Sequence, residues 1–426
     1  MADRPPPFDP LAYRDPTPAP WLIRAIGPVN RHLMLLGLLR LSGFRLPAAD
    51  LARLRAAVNP GTAAFLAPNH PEFMTDWLID KEISRLVSPL MAHWASYEIV
   101  NGSPLAQRFW LANNLIANAP GGGGKAYSVR WALAGHGVLL HPEGTATWQG
   151  DRVGRLLPGA VDMAWDAAAL AGGAGSARPV WLVPLAWKLH FTGDAAPGLR
   201  REMAHIGRAL DVACGDDAVE RCFAQLIGGV LRSQCARLGL PPVSGEPGPR
   251  YFAEQGATLA AIRERLAARH GPLDADVARA QHVLRRSIRT LAATDPDAAR
   301  TDRALLAELQ RLESFDPALY GVPTLTQERI AETLKRTRSS LVGRGTGNAL
   351  HNLLPIAVAP RVAHVRVPEP LDVRAAQAAG GDAEVARAAL LAALRERLQG
   401  AVNAINGAIA PLVDRWRRAN PLHDGR

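Results

Sequence analysis

Short apolar runs alternate with amphipathic stretches over residues 47–200 of this 426-residue chain, and that alternation sets the first expectation. Apolar runs at 62–66, 89–92, 114–117, 138–140 and 180–183 read as buried strands. Helical character intervenes at 77–83, 104–110, 129–134 and 161–170. Strands alternating with helices predict an α/β fold, a mostly parallel sheet flanked by helices. Residues 201–345 change character. Stretches near 203–213, 217–238, 250–269, 274–293, 301–313 and 325–340 carry helical apolar spacing, so the segment reads as a large helical insertion. Thr324 and Gln327 suggest a capping box. Residues 346–378 read as a return to the sheet, with 349–358 apolar and 361–367 alternating roughly as in an exposed or edge strand. Residues 382–416 read as a last helix that bends at Gly400 and Gly407.

The amino-terminal end follows a different pattern. Residues 1–20 are Pro-rich, with Pro5, Pro6 and Pro7 in a row, and read as an extended, poorly ordered lead without the features of a signal peptide. Residues 21–46 are strongly apolar but interrupted by Arg24, Arg31, Arg40 and Arg45. A spanning helix needs ~20 apolar residues, and no such run exists here. Pro28 is expected to break the segment into two short helices. Such a pair suits either the membrane interface or an amphipathic packing face on the core.

The first candidate chemistry sits where the run at 62–66 gives way to a helix. Asn69 and His70 lie on that strand-to-helix turn, where open α/β sheets bind ligands. Pro71 keeps His70 out of the helical region. Asp76 is close enough to orient one ring nitrogen and leave the other as a base. The plain alternative is a helix-entry loop with an incidental histidine. A second block follows the strand at 138–140: His141, Pro142, Glu143, Gly144 and Thr145.

Together these blocks resemble the glycerolipid acyltransferases, the lysophosphatidate and glycerol-phosphate acyltransferase family. That family has an Asn-His…Asp block, then an apolar-Pro-Glu-Gly-Thr block at a similar distance, then a Val-Pro pair matched here by Val183-Pro184. The resemblance covers roughly residues 60–190, with a looser echo near 361–373. It implies His70 as general base and Asp76 as its orienting acid, with Asn69, Glu143, Gly144 and Thr145 about the acceptor. It also favours membrane association at the amino-terminal end. The chain departs from the family in three places. Five residues rather than four separate His70 from Asp76, Ala146 stands where many members have Arg, and the region 115–120 lacks the family's other Arg. Two phosphate-binding arginines are thus missing from their expected places.

Composition adds an anionic partner to the picture. The net charge is +10, and lysine occurs only at 81, 125, 188 and 335. Dispersed arginines without a recognition motif argue against nucleic acid and leave a membrane surface, lipid phosphate or coenzyme phosphate. Cys214, Cys222 and Cys235 lack metal-ligand spacing and suggest a reducing compartment. Histidines 93, 136 and 141 form no zinc pattern and read as structural. The glycine run 121–124 fails the P-loop pattern at Ala119 and Ala126. It matches a dinucleotide fingerprint as Gly121, Gly123 and Ala126, with Glu143 as the ribose acid, a rival reading. A further reading has the loop grip phosphate with help from Lys125 and Arg130.

The expected organisation is therefore 1–46 lead and membrane-interface helices, 47–200 α/β core, 201–345 helical insertion, and 346–426 return strand and C-terminal helix. The insertion is expected to cover the site, bind a partner or widen the membrane contact. The expected activity is acyl transfer from acyl-CoA or acyl carrier protein to a lysophospholipid hydroxyl, at the cytoplasmic face of the inner membrane, with no metal or other cofactor. The alternatives are an unphosphorylated lipid acceptor, or a membrane-bound interaction protein on a degenerate core.

Overall fold

The computed structural model describes residues 8–9, 11–119, 121–215, 218–248, 250–274, 277–343, 346–353 and 357–423. Two compact units emerge. One comprises Met1–Leu189 with Arg361–Ala408, the other His190–Pro360 with Ile409–Arg426.

The first unit opens with α1 (Pro20–Val29), a π-helix (Asn30–Leu38), β1 (Leu41–Arg45) and α2 (Ala48–Ala57). It continues with β2 (Ala63–Pro68), α3 (Thr75–Val87), β3 (Ala92–Ser96), α4 (Tyr97–Val100), α5 (Pro104–Ala112) and β4 (Leu115–Asn118). Then come α6 (Gly123–Leu133), β5 (Val138–Leu139), α7 (Gly159–Gly173) and β6 (Val180–Phe191). The second unit supplies α8 (Ala196–Leu210), α9 (Val219–Arg237), α10 (Tyr251–His270), α11 (Val277–Leu291), α12 (Pro296–Glu313) and α13 (Pro317–Tyr320). After these come β7 (Thr324–Leu325), α14 (Gln327–Leu341) and α15 (Thr346–Leu353). The chain returns to the first unit with β8 (Arg361–Arg366), β9 (Leu371–Asp372), α16 (Val373–Ala378) and α17 (Ala383–Val413), and ends with β10 (Arg418–Ala419) paired to β7.

The main sheet runs β1-β8-β6-β2-β5-β3-β4, with β9 alongside β6. The β1–β8, β2–β6, β2–β5, β3–β5 and β3–β4 pairs are parallel, and β9 runs antiparallel to its neighbour β6. The fold is thus the mixed α/β arrangement with a mostly parallel, helix-flanked sheet. Every residue of β2 is buried, which explains its continuous apolar sequence: both faces are covered, so no polar alternation is wanted. Phe65, Val138 and Leu182 share a core with Val161 and Met163 of α7 and Leu394, Leu398 and Val402 of α17. Each such buried side chain contributes about 1.5–3 kcal/mol. The second unit builds its own core, including Phe223, Leu231, Leu309, Phe315 and Leu334.

Several expectations are corrected. Residues 361–367 do not make an edge strand: β8 lies between β1 and β6, with Val362, Ala363 and Val365 buried. Residues 41–45 are not helical but form edge strand β1. Pro28 does not break the first helix. The chain continues directly from it as a π-helix, with the i→i−5 bond seen where the Leu39 N–H donates to the Met34 carbonyl at 2.8 Å. The cap of α14 is Thr326, whose hydroxyl accepts from the Arg329 N–H, while Thr324 pairs in β7. Of the Pro-rich lead, residues 1–7 and Pro10 lie outside the described residues, as do 354–356 of the apolar stretch and Pro120. Residues 11–19 are held: Thr17 and Ala19 donate to the carbonyls of Leu111 and Ala112 at 3.1 and 2.9 Å. Cys214 and Cys222 form a disulfide rather than free thiols, and Cys235 is free and buried. Among the described residues no helix is long and apolar enough to cross a membrane.

Candidate active site

The parallel pairing of β2 with β5 assembles the site. Leu66 sits opposite Leu139, and the Leu140 N–H donates to the Leu66 carbonyl at 3.0 Å. Both chains leave the sheet at the same end, so His70 and His141 arrive side by side. Asn69 finishes β2 in a way only an amide can. Its Nδ2 donates to the Trp187 carbonyl at 3.0 Å and its Oδ1 accepts the Trp187 N–H at 2.8 Å, extending the β2–β6 ladder past Pro68. Asn69 is therefore spent on the backbone and is not presented to an acceptor.

Between Asn69 and α3 the chain turns through Met74, a non-glycine residue at φ 60°. Such a backbone is strained and persists only where its surroundings hold it. The turn absorbs the five-residue spacing and brings Asp76, in the first turn of α3, back onto His70, Oδ2 lying 2.5 Å from Nε2. The other carboxylate oxygen accepts the Trp77 N–H at 2.6 Å. His70 Nδ1 is buried without a partner among the described residues, which leaves it as the nitrogen able to take a proton.

The backbone of His70 is clamped at both ends. Its N–H donates to Glu143 Oε1 at 2.7 Å, and its carbonyl accepts the Thr147 N–H at 2.8 Å. Glu143 Oε2 accepts the Gly154 N–H at 2.6 Å. Glu143 thus locks the His70 loop and is not among the residues that line the cavity beside His70. Burial pushes its carboxyl up to about 7, against the two N–H donors. α3 itself is anchored from the amino-terminal helices: Asn30 donates to the Leu78 carbonyl at 2.8 Å, and Arg31 pairs with buried Glu82.

His70 and Asp76 open into a cavity of about 230 Å³. Trp77, Trp94, Trp110, Ile99 and Leu115 form an apolar wall, and Gly144, Thr145 and Ala146 also line it. Trp77 meets Trp110 edge to face at 5.2 Å between ring centres. Among the described residues no lysine or arginine lines it.

Lys125 and Arg130 are elsewhere. Lys125 Nζ lies 3.9 Å from Asp162, and Arg130 donates to Asp15 at 2.9 Å. The glycine run serves packing. A Cβ at Gly123 would sit 2.3 Å from the Tyr13 ring, and one at Gly124 2.8 Å from Trp94. With the acid of the dinucleotide reading spent on backbone N–H groups, neither that reading nor the phosphate grip has support here.

Two groups escaped the sequence reading: Asp80 and the place of His141. His141 Nε2 lies 2.8 Å from Asp80 Oδ2, and its ring stacks on His70 at 4.2 Å between centroids. The signals were present. Asp76 and Asp80 are one helical turn apart on α3, and His141 follows β5 as His70 follows β2. His70, Asp76 and His141 bring ligand-type atoms within 4.8 Å of one another, a spacing that a metal ion could also span. A cation there would have to displace the proton between His141 and Asp80.

The second unit holds a Ser-His-Asp chain: Ser287 Oγ lies 2.8 Å from His270 Nδ1, and His270 Nε2 2.9 Å from Asp302. Ser287 is interior to α11, whose N–H groups are used within the helix, so its own backbone offers no oxyanion donors. The chain ties α10, α11 and α12 together.

No protein-family model matches this chain, and no curated protein matches it.

Proposed function

We propose that this protein is an O-acyltransferase, moving a fatty acyl group from a coenzyme A or acyl-carrier-protein thioester to a lipid hydroxyl. One observation carries the reading: a buried His70–Asp76 pair with one ring nitrogen unpartnered, open to an apolar cavity. A thioester carbonyl is already electrophilic, so the acceptor chiefly needs a base and correct placement. The hydroxyl proton passes to His70 Nδ1 as its oxygen attacks the thioester carbon. Asp76 holds the imidazolium that forms. The C–S bond then breaks, and the thiolate leaves with the proton from His70 as free thiol. The aromatic wall suits an acyl chain. The intact pair speaks against a degenerate core that serves only as an interaction platform.

The acceptor follows from the cavity. A lysophospholipid such as lysophosphatidate is the first reading from family resemblance. A lining without lysine or arginine favours the second, a lipid hydroxyl without a phosphate beside it. Peripheral attachment at the inner membrane's cytoplasmic face belongs to the same proposal. Trp21 and Leu33, exposed by 71% and 58% on the first two helices beside Arg24, support membrane contact.

The test is thiol release from a long-chain acyl-CoA by the purified protein, with lysophosphatidate or monoacylglycerol as acceptor, beside His70→Ala. Release with monoacylglycerol that disappears in His70→Ala supports the second reading. Release only with lysophosphatidate restores the first. No release with these acceptors, with other lipid alcohols or with acyl carrier protein donors overturns the enzyme reading.

A further inference from the structure

The ring of His141 is bound on both edges by oxygen. Nδ1 lies 3.1 Å from the Asn69 carbonyl, which can only accept, so Nδ1 carries a hydrogen. Nε2 lies 2.8 Å from Asp80 Oδ2, so a second proton sits between imidazole and carboxylate. Hydrogen-bond valence therefore places one shared proton between Nε2 and Oδ2, and Asp76 and the Asn69 carbonyl beside the ring favour its seat on the imidazole, against the burial that raises the Asp80 carboxyl. The same nitrogen is 3.9 Å from Asp76 Oδ2, and the ring lies 22° from parallel with His70.

Every neighbouring element presents a group to this cation. α3 contributes Asp80 and Asp76, the loop after β2 contributes His70, β3 contributes His93, and Glu143 stands two residues along. Burial pulls His141 down, but Asp80, Asp76 and the Asn69 carbonyl outweigh it. Its charge acts in turn on His93, which burial, Lys81 and His141 hold well below the usual histidine range. Apart from Glu143, whose oxygens are spent on backbone N–H groups, the Asp76 and Asp80 carboxylates and the His141 imidazolium leave one negative charge uncompensated. A proton arriving on His70 cancels it.

We propose that His141 and Asp80 form a second dyad, charged at neutral pH, that positions and electrostatically sets the His70–Asp76 base, His141 being a positioning residue and not itself a base. The inference rests on the acyl-transfer reading for its kinetic consequence, but not for the charge state of the dyad. The stacked imidazolium keeps His70 neutral at rest, and the second carboxylate keeps proton uptake favourable. Asp80 also fixes the edge of His141, so the stack has one geometry.

The experiment has two arms on the full-length protein. The first is imidazole nitrogen NMR, which needs no substrate. His141 is expected to stay an imidazolium at pH 7.5 while His70 is neutral, and His70 is expected to titrate at higher pH once the neighbouring charge is removed in His141→Gln/Asp80→Asn. The second arm is the pH profile of kcat and KM for thiol release. The double variant removes both charges and leaves neither buried alone. It should lower kcat on the order of tenfold to a hundredfold, leave KM nearly unchanged, and move the acid limb upward. A neutral His141 at pH 7.5, or a folded double variant with unaltered kcat and limb, overturns the proposal. Zinc retained stoichiometrically through chelation would also overturn it, in favour of a metal centre. If no thioester is consumed by any form, the acyl-transfer reading fails, and the NMR arm alone still decides the charge state.

Discussion

Glu143 accepts the backbone N–H of His70 across 73 residues of sequence, at 2.7 Å, so the second sequence block holds the first in place. A carboxylate suits this because its other oxygen must accept the Gly154 N–H, and both partners are donors. Glu143→Gln turns one acceptor into a donor facing an N–H. Leaving one buried donor unmet costs about 1–3 kcal/mol. The expected result is a lower unfolding midpoint in urea together with a kcat loss larger than any change in KM, since the loop that drifts carries the base.

Asn69 makes a sharper stability prediction. Its amide meets both polar groups of the Trp187 peptide, so Asn69→Ala strands a donor and an acceptor in the core. A loss of about 2–6 kcal/mol is expected in chemical denaturation, taken as two unmet buried groups. Asn69→Asp keeps the acceptor but puts a carboxylate against the Trp187 carbonyl, and should rescue little.

The base should act when neutral. Burial and the cationic His141 pull His70 below the ordinary histidine value of 6.5, against the pull of Asp76. Activity is therefore expected to be complete at neutral pH and to fall only as pH drops through a midpoint under 6.5. In Asp76→Asn the opposing influence disappears. The limb should move still lower while kcat drops by about 10²–10⁴, as a pH series of thiol release would record.

His141 also ties folding to pH. Its imidazole is pushed up from 6.5 to about 9. Its stabilising share is fully present below 6.5 and is lost as pH rises through about 9. The wild-type thermal midpoint should decline across that window. The decline should flatten in His141→Gln/Asp80→Asn, as a calorimetric pH series would register.

Gly124 tests the packing account of the glycine run. Its missing Cβ makes room for Trp94, which lines the cavity and whose Nε1 donates to Ser128 at 2.9 Å. Gly124→Ala should push the indole into the cavity and shift acyl preference toward shorter chains in a competition assay with mixed acyl-CoAs. An unchanged chain preference in a folded variant would argue that this wall does not hold the acyl group.

The strand-turn-helix around His70 was legible because β2 is a pure apolar run and the turn residues are polar and proline-rich. The ion pair with Asp76 was legible from spacing. The purpose of Glu143 and Asn69 was not, because both satisfy backbone groups brought near only by the β2–β5 and β2–β6 registers. His141 resisted for the same reason: its partner Asp80 is 61 residues away and looks like any helix-face acid. β1 carries no clear alternation to mark it as a strand, and β8 reads as an edge in the sequence because Arg361 and His364 interrupt its apolar positions. Buried Arg361 is met by Glu72 at 2.7 Å, a pairing a linear reading does not show.

The seat of β8 has a consequence for the order in which this protein comes off the ribosome. β8 fills the gap between β1 and β6, yet 169 residues separate the end of β6 from its start. Until it emerges, β1 has no partner and one side of β6 is an open template for another chain. The nascent first unit must wait with that seam unzipped while the helical unit is synthesised. A pause, a nonsense codon or a slow stretch of message before Arg361 should therefore yield chains that aggregate through the open strand.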